Sequence, residues 1–208
     1  MVNEPEPVIY VVDDDESFRT AVQRLLSAAG YGVQTFSSVP EFLAFRSPGQ
    51  PGCVLADLQM PGASGLDLLE ELNRRHDLIP LVFLSGHGDI PTTVRAMRGG
   101  AIDFLTKPLR RDDLFGALTR ALLRDAELRA SVREIDEQRR RLASLTPREQ
   151  EVLRHVIAGK LNKQTAFELK TGERTIKAHR ANIVRKLRVS SVAELVRLAE
   201  TLRIAPAP

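Results

Sequence analysis

Cys53-Val54-Leu55-Ala56-Asp57-Leu58-Gln59-Met60-Pro61 is the stretch on which the fold of this chain turns. It is a short apolar run that ends in one carboxylate and is stopped by Pro61 and Gly62. Such a run, bounded by Pro and Gly, predicts a strand buried on both faces. Asp57 then stands where that strand leaves the sheet, at the carboxyl edge where open α/β sheets keep their ligands. Taken alone, an Asp after a strand is a loop residue or a helix cap. Its company elsewhere in the chain decides otherwise.

Outward from that run the same pattern repeats. Val8 to Val12 is β-rich and ends in Asp13-Asp14-Asp15-Glu16, and Leu25, Leu26 and Ala29 follow at helical spacing before Gly30. Val33 to Phe36 alternates as a strand, and Glu41 to Phe45 makes a short helix. Leu66, Leu68, Leu69 and Leu72 give another helix, then Leu81 to Leu84 is a second fully apolar run ending at Ser85. Thr92 to Met97 is helical, and Ile102 to Leu105 is a last strand ending in Thr106-Lys107-Pro108. Strands alternating with helices predict a doubly wound (βα)5 parallel sheet, order 2-1-3-4-5, covered on both faces.

From Asp112 one long helix is expected. Leu114, Leu118, Ala121, Leu128, Val132, Ile135 and Leu142 recur at steps of three and four, interrupted by Asp125 and Arg139. No Gly or Pro falls between Ala117 and Ser144. A solvated charged linker is the plain reading. The sharper one is a helical rod that extends the last helix of the front domain and can pair with a second copy. Next, Thr146-Pro147-Arg148-Glu149 is a capping box with Pro at the first helical position, opening a helix with Val152, Leu153, Val156 and Ile157 inside. Asn162 is expected to cap a short helix to Leu169, Thr171-Gly172 to turn the chain, and Glu173 to Leu187 to form the third helix. Val192, Leu195, Val196, Ala199 and Leu202 stripe a fourth. The expected division is residues 1–123, a helical linker 124–144, and an all-α domain 145–208.

Composition agrees with two partners. The net charge of +3 over 208 residues hides 11 Lys/Arg against 16 Asp/Glu in residues 1–123 and 19 against 11 in the remainder. An acidic front and a basic back suggest that the back binds nucleic acid. The lone Cys53 cannot make an internal disulfide, and the acidic, Pro-rich start lacks the order of a signal peptide, so a cytoplasmic location is expected. No apolar stretch approaches the roughly 20 residues that span a bilayer, so no membrane partner is expected.

In the predicted sheet Asp13, Asp14, Asp57, Ser85 and Lys107 all fall at strand carboxyl ends beside the switch point. Three carboxylates in one cleft repel unless a cation joins them, and an oxygen-preferring divalent ion, Mg²⁺ above all (or Mn²⁺), is the natural choice. Those parts suit attack by Asp57 on a phosphoryl group, with Mg²⁺ and Lys107 neutralising its oxygens. An aspartyl phosphatase would need a second Asp two residues on as general acid. Gln59 stands there, so an enzyme is not expected beyond weak self-dephosphorylation.

These residues carry a resemblance. Val12-Asp13-Asp14, Asp57-Leu-Gln-Met-Pro-Gly with Ser64-Gly65, Ser85-Gly86, and Phe104-x-x-Lys107-Pro108 are similar to a two-component receiver domain. The resemblance implies Asp57 as phosphoacceptor from a sensor histidine kinase. It implies Mg²⁺ held by Asp13, Asp14, Asp57 and the Gln59 backbone carbonyl, Ser85 and Phe104 as a switch pair, and a cis Lys107-Pro108 bond. Ser85-Gly86-His87-Gly88-Asp89 resembles the FixJ branch; in receivers the position of His87 influences water access, and a surface loop histidine with no role is the alternative.

The back half carries a second resemblance. Residues 173 to 188 hold six Arg/Lys against one Glu, and at 100° per residue Ile176, Ile183 and Leu187 share one face. Arg174, Ala178, Ala181, Arg185 and Arg188 face away, a basic face with small residues at its centre. With Leu145-Thr-Pro-Arg-Glu, Asn162-Lys163, Thr175-Ile-Lys-Ala-His179 and Lys186-Leu187 this is similar to the LuxR-type helix-turn-helix. The resemblance places Lys177, Ala178 and Ala181 at base edges with Asn182 and Arg185 nearby, and Lys163, Arg174 and Thr175 on phosphates. A response regulator of the FixJ/NarL class is therefore expected. Its phosphorylation would drive homodimerisation, or release the DNA-binding half from domain contacts, and so raise affinity for double-stranded promoter DNA, with RNA polymerase a further possible partner. The alternatives are a regulator that binds DNA without phosphorylation and an adaptor that binds none.

Overall fold

The computed structural model describes residues 5–86 and 90–208. The chain divides into two compact units between Arg129 and Ala130. In the first, β1 (Val8–Val12), β2 (Gly32–Phe36), β3 (Gly52–Asp57), β4 (Leu81–Ser85) and β5 (Asp103–Thr106) form one parallel sheet in the order β2-β1-β3-β4-β5. The helices between them are α1 (Glu16–Ala28), α2 (Val39–Phe45), α3 (Gly65–Arg74) and α4 (Ile90–Arg98). This is the expected doubly wound sheet.

Alternation along each strand explains both faces. Ile9 and Val11 of β1 and Cys53 and Leu55 of β3 pack with Val22 and Leu26 of α1 and with Leu114, Leu118 and Ala121 further on. Tyr10, Val12, Val54 and Ala56 point the other way, to Phe42, Leu68, Leu72 and Ala96 of α2, α3 and α4. A period of two with both sides apolar gives a continuous run, as in Cys53 to Ala56. Gly52 opens β3 at φ 149, where an added Cβ would lie 1.9 Å from the Val8 carbonyl oxygen. Only glycine permits that approach of the two strands.

α5 runs from Arg111 to Ala143. It is the single long helix expected, and its apolar positions divide between the two units. Leu114, Leu118 and Ala121 are buried against the sheet of their own unit, and Leu142 packs into the core of the second unit. That leaves Leu128, Val132 and Ile135, of which Val132 is 44% exposed. Asp125, one of the two charged interruptions of the apolar spacing, is buried at 5% exposure. Its Oδ2 accepts from the Gly52 N–H at 3.1 Å and pairs with Arg129 Nε at 2.8 Å, while Arg129 also donates to the Gly49 carbonyl. A carboxylate there satisfies the first amide of β3, which an apolar residue could not do.

The second unit holds α6 (Pro147–Ile157), α7 (Asn162–Glu168), α8 (Glu173–Leu187) and α9 (Val192–Thr201). Val152, Leu153 and Val156 meet Ile176, Ile183, Leu187, Leu195 and Leu198 in its core. The Thr146–Glu149 capping box is present, and Glu149 Oε2 also takes Lys186 Nζ at 2.7 Å. Two local expectations shift. Asn162 lies inside α7: its N-cap is Leu161, whose N–H donates to the Gln164 side chain at 2.8 Å, and Asn162 Oδ1 accepts from Arg180 at 2.9 Å. The left-handed residue of the turn is Lys170 (φ 50), while Gly172 is extended and caps α8. Thr171 N–H reaches the Ala166 carbonyl at 2.9 Å and Lys170 N–H reaches Phe167 at 3.2 Å, a Schellman closure of α7 that fixes the turn one step earlier.

Candidate functional site

The first candidate site lies at the carboxyl edge of the sheet, where β1 and β3 adjoin. Parallel pairing of Val12 with Ala56 brings the next residues of both strands, Asp13 and Asp57, to the same rim. Pairing of β4 with β5 brings Ser85 beside Thr106, and the Lys107 N–H donates to the Ser85 carbonyl at 2.7 Å. The Lys107-Pro108 bond is cis. Gly65, first in α3, packs so closely that a Cβ would lie 2.5 Å from the Asp57 carbonyl oxygen, which seats the loop after β3.

Lys107 joins the two acids. Its ammonium is 2.6 Å from Asp13 Oδ2 and 2.7 Å from Asp57 Oδ1. Asp57 Oδ2 accepts from the Gln59 N–H at 3.0 Å, and Asp13 Oδ1 accepts from the Asp15 N–H at 3.0 Å. Asp13 is 0% exposed and Asp57 6%. Burial pushes the Asp13 carboxyl above the ordinary carboxylate range; its bonds to Lys107 and Asp15 pull the other way, and the Asp57 charge adds to the rise. Burial also works against the Lys107 charge, but its bonds to Asp13 and Asp57 prevail and hold its pKa above the usual lysine value.

Asp14 is exposed beside this pair, and Gln59 is exposed past Asp57. Among the described residues no group of three or more acidic, imidazole or thiol side chains is arranged to hold a metal ion. The structure thus brings Asp13, Asp57 and Lys107 together and leaves Asp14 at the rim. Two buried carboxylates sharing one ammonium are still an excess of negative charge with oxygen donors only, and that chemistry fits a hard divalent cation. Ser85 is 1% exposed at the end of β4, and Phe104 is half-buried in β5 against the α3/α4 core. His87 lies outside the described residues.

One residue of this site escaped the sequence reading. The Phe18 ring lies under the Lys107 ammonium, 4.2 Å from its centroid. Its spacing four before Val22 marks it only as a core residue of α1, so no local signal distinguishes it.

The second candidate site is the outer face of α8. Ile176, Ile183 and Leu187 are buried, as expected. Arg174, Thr175, Lys177, Ala178, Ala181 and Arg185 are exposed, and so is Lys163 on α7. Asn182 is half-buried and accepts from Arg185 at 3.0 Å. Arg148 donates to the Leu169 carbonyl at 2.6 Å, and the Arg180–Asn162 bond ties α7 to α8. The two helices therefore present their basic side chains on one rigid support.

Comparison with known proteins agrees with both halves. A response regulator receiver domain model matches residues 9–119, and that of the bacterial regulatory proteins of the luxR family matches residues 143–199. The chain is 45% identical to the response regulator protein TmoT of Ectopseudomonas mendocina, over 97% of this chain and 92% of that one. It is 41% identical to the transcriptional regulatory protein FixJ of Bradyrhizobium diazoefficiens, over 92% and 93% respectively. The solved structure of response regulator StyR superposes with a TM-score of 0.82 at 47% identity, covering 94% of this chain and 98% of that one. Full-length FixJ from B. japonicum gives 0.56 at 38%, covering 96% and 98%. With acids and lysine gathered at the sheet's switch point in the first unit and a basic helix-turn-helix in the second, the chain belongs to the response regulators that join a receiver domain to a LuxR-type DNA-binding domain.

Proposed function

We propose that this transcriptional regulator accepts a phosphoryl group on Asp57 from a sensor histidine kinase and thereby raises its affinity for promoter DNA. The observation that carries the reading is the Lys107 ammonium, held within 2.7 Å of both Asp13 and Asp57 at the mouth of the sheet. A carboxylate oxygen of Asp57 forms the new O–P bond as the P–N bond of the donor phosphohistidine breaks. The imidazole leaves with the electron pair and is protonated from solvent. Mg²⁺ or Mn²⁺ bound by Asp13, Asp14, Asp57 and the Gln59 carbonyl would supply charge to offset the phosphoryl oxygens. Lys107 supplies the fixed protein charge for the same purpose, and the Gln59 N–H orients the attacking carboxylate. Ser85, buried at the next strand end, would follow the phosphoryl group, and Phe104 would answer it.

The receiver is assigned to residues 1–123, the linker to 124–144 and the DNA-binding domain to 145–208. Ile90, Val94 and Met97, at 79, 41 and 44% exposure, recur on one side of α4 and support homodimerisation through that face once Asp57 is modified. On DNA, Lys177, Ala178, Ala181, Asn182 and Arg185 read base edges, while Lys163, Arg174 and Thr175 hold phosphates. Intact-mass measurement after incubation with acetyl phosphate and Mg²⁺ tests the first step. A phosphoryl adduct that vanishes in Asp57→Asn is expected. Operator binding that is equally tight with and without the adduct would favour a regulator independent of phosphorylation.

A further inference from the structure

Phe18 is placed from both sides. Its N–H donates to Asp15 Oδ1 at 3.1 Å, part of the cap that starts α1, so its backbone is fixed by the same loop that carries Asp13. Its ring packs, partly buried, against the α1/α5 core. From there it faces the Lys107 ammonium at 4.2 Å. A lysine head on four rotatable bonds is ordinarily mobile and strongly hydrated. An aromatic face attracts the ammonium through its quadrupole and displaces water from one side of it. The two carboxylates fix the other side, at 2.6 and 2.7 Å.

We infer that Phe18 is a positioning residue for phosphoryl transfer: its ring holds the Lys107 ammonium against Asp13 and Asp57, where the oxygens of an incoming phosphoryl group meet it. The inference rests on Asp57 being the phosphoacceptor. When the phosphoryl group arrives, Lys107 exchanges carboxylate contacts for phosphoryl oxygens. The ring keeps the head from swinging into solvent during that exchange, so the charge is in place before the O–P bond forms. A leucine has comparable apolar bulk but no π face. A tyrosine or tryptophan keeps the face.

The test compares Phe18→Leu, Phe18→Tyr and Phe18→Trp in the full chain with two readouts. In the metal-free protein, NMR of the Lys107 side chain reports the ring current on its Cε and Nζ groups. The upfield shift should be lost in Phe18→Leu and kept in Phe18→Tyr. With acetyl phosphate and Mg²⁺, the rate of Asp57 modification should fall on the order of tenfold in Phe18→Leu and stay within about twofold of wild type in the aromatic variants. If the leucine variant does not fold, Phe18→Met replaces it in both measurements. Wild-type protein inert to acetyl phosphate would remove the phosphoacceptor reading and this inference with it. A reactive wild type with Phe18→Leu equally fast, or with Tyr and Trp as slow as Leu, would overturn the role of the ring alone.

Discussion

Replacing Lys107 with Met should destabilise the receiver by about 3–4 kcal/mol at neutral pH and low divalent ion. In the wild type one ammonium contacts two buried carboxylates at 2.6 and 2.7 Å. Each contact is worth roughly 6 kcal/mol at an effective dielectric near 20, before the desolvation of several kcal/mol per ion that opposes it. Removing one partner of such a group leaves uncompensated buried charge and costs about 3–5 kcal/mol. Proton uptake caps the loss: an acid of ordinary pKa 3.8 takes a proton at pH 7 for roughly 4 kcal/mol, and Asp13 starts above that value.

The sign of the pH dependence follows from the same shift. The folded-state pKa of Asp13 lies above its unfolded value, so its contribution is fully present below 3.8 and is lost as pH rises through the folded value. Without Lys107 that value rises further, and the variant loses stability over a wider span toward neutrality. The gap to wild type should therefore widen from pH 4 to pH 7. Mg²⁺ at a hundred times its Kd should return about 2.7 kcal/mol by binding the folded state. Urea unfolding read by hydrogen exchange at β1 and β3 amides separates this unit from the rest of the chain. A loss below about 1 kcal/mol at pH 7, or one indifferent to Mg²⁺, would mean that the three side chains do not form a single charge cluster.

Other outcomes are equally open to measurement. Lys163→Ala should weaken binding to operator and random DNA alike and lower the salt slope by about 1, whereas Lys177→Ala should change the preferred sequence; equal losses on both DNAs for both variants would remove the division between phosphate and base contacts. Thr165 is fully buried, and its Oγ1 meets no hydrogen-bond partner among the described residues. Thr165→Val should thus stabilise the DNA-binding unit by about 1 kcal/mol, seen as a rise of several degrees in its melting temperature, and a fall would refute this. The hydrogen bond from Lys186, outweighing burial, holds the Glu149 carboxyl below its ordinary 4.5. That stability is present above 4.5 and lost as pH falls through the folded value, so Lys186→Met should flatten the acid limb of the unfolding curve. A limb unchanged in the variant would place the titration elsewhere.

Much of this architecture was legible because it is written locally. The period-two apolar runs at Val8–Val12, Gly52–Asp57 and Leu81–Ser85 need only neighbouring residues to declare a buried parallel strand, and the carboxylates that end them declare the sheet's functional edge. The Thr146–Glu149 box and the buried face of α8 are likewise settled within one or two turns. Where a signal was ambiguous, the ambiguity was also local. A step of three and four residues in α5 is the same whether it packs on its own sheet or on a second helix, so the spacing leaves open where along α5 the packing on the sheet stops, which the burial of Leu114, Leu118 and Ala121 marks.

The sequence by itself determined the order of elements, the ends of the strands and the residue types gathered there, because those follow from chain-local periodicity and turn chemistry. Only the tertiary structure decided which groups touch. Lys107 reaches Asp13 across 94 positions and Asp125 reaches Gly52 across 73, and neither distance leaves a trace in the residues between. The same holds for the Phe18 ring beneath Lys107: charge pairing and π contact depend on side-chain direction in three dimensions, which strand pairing fixes and sequence spacing does not.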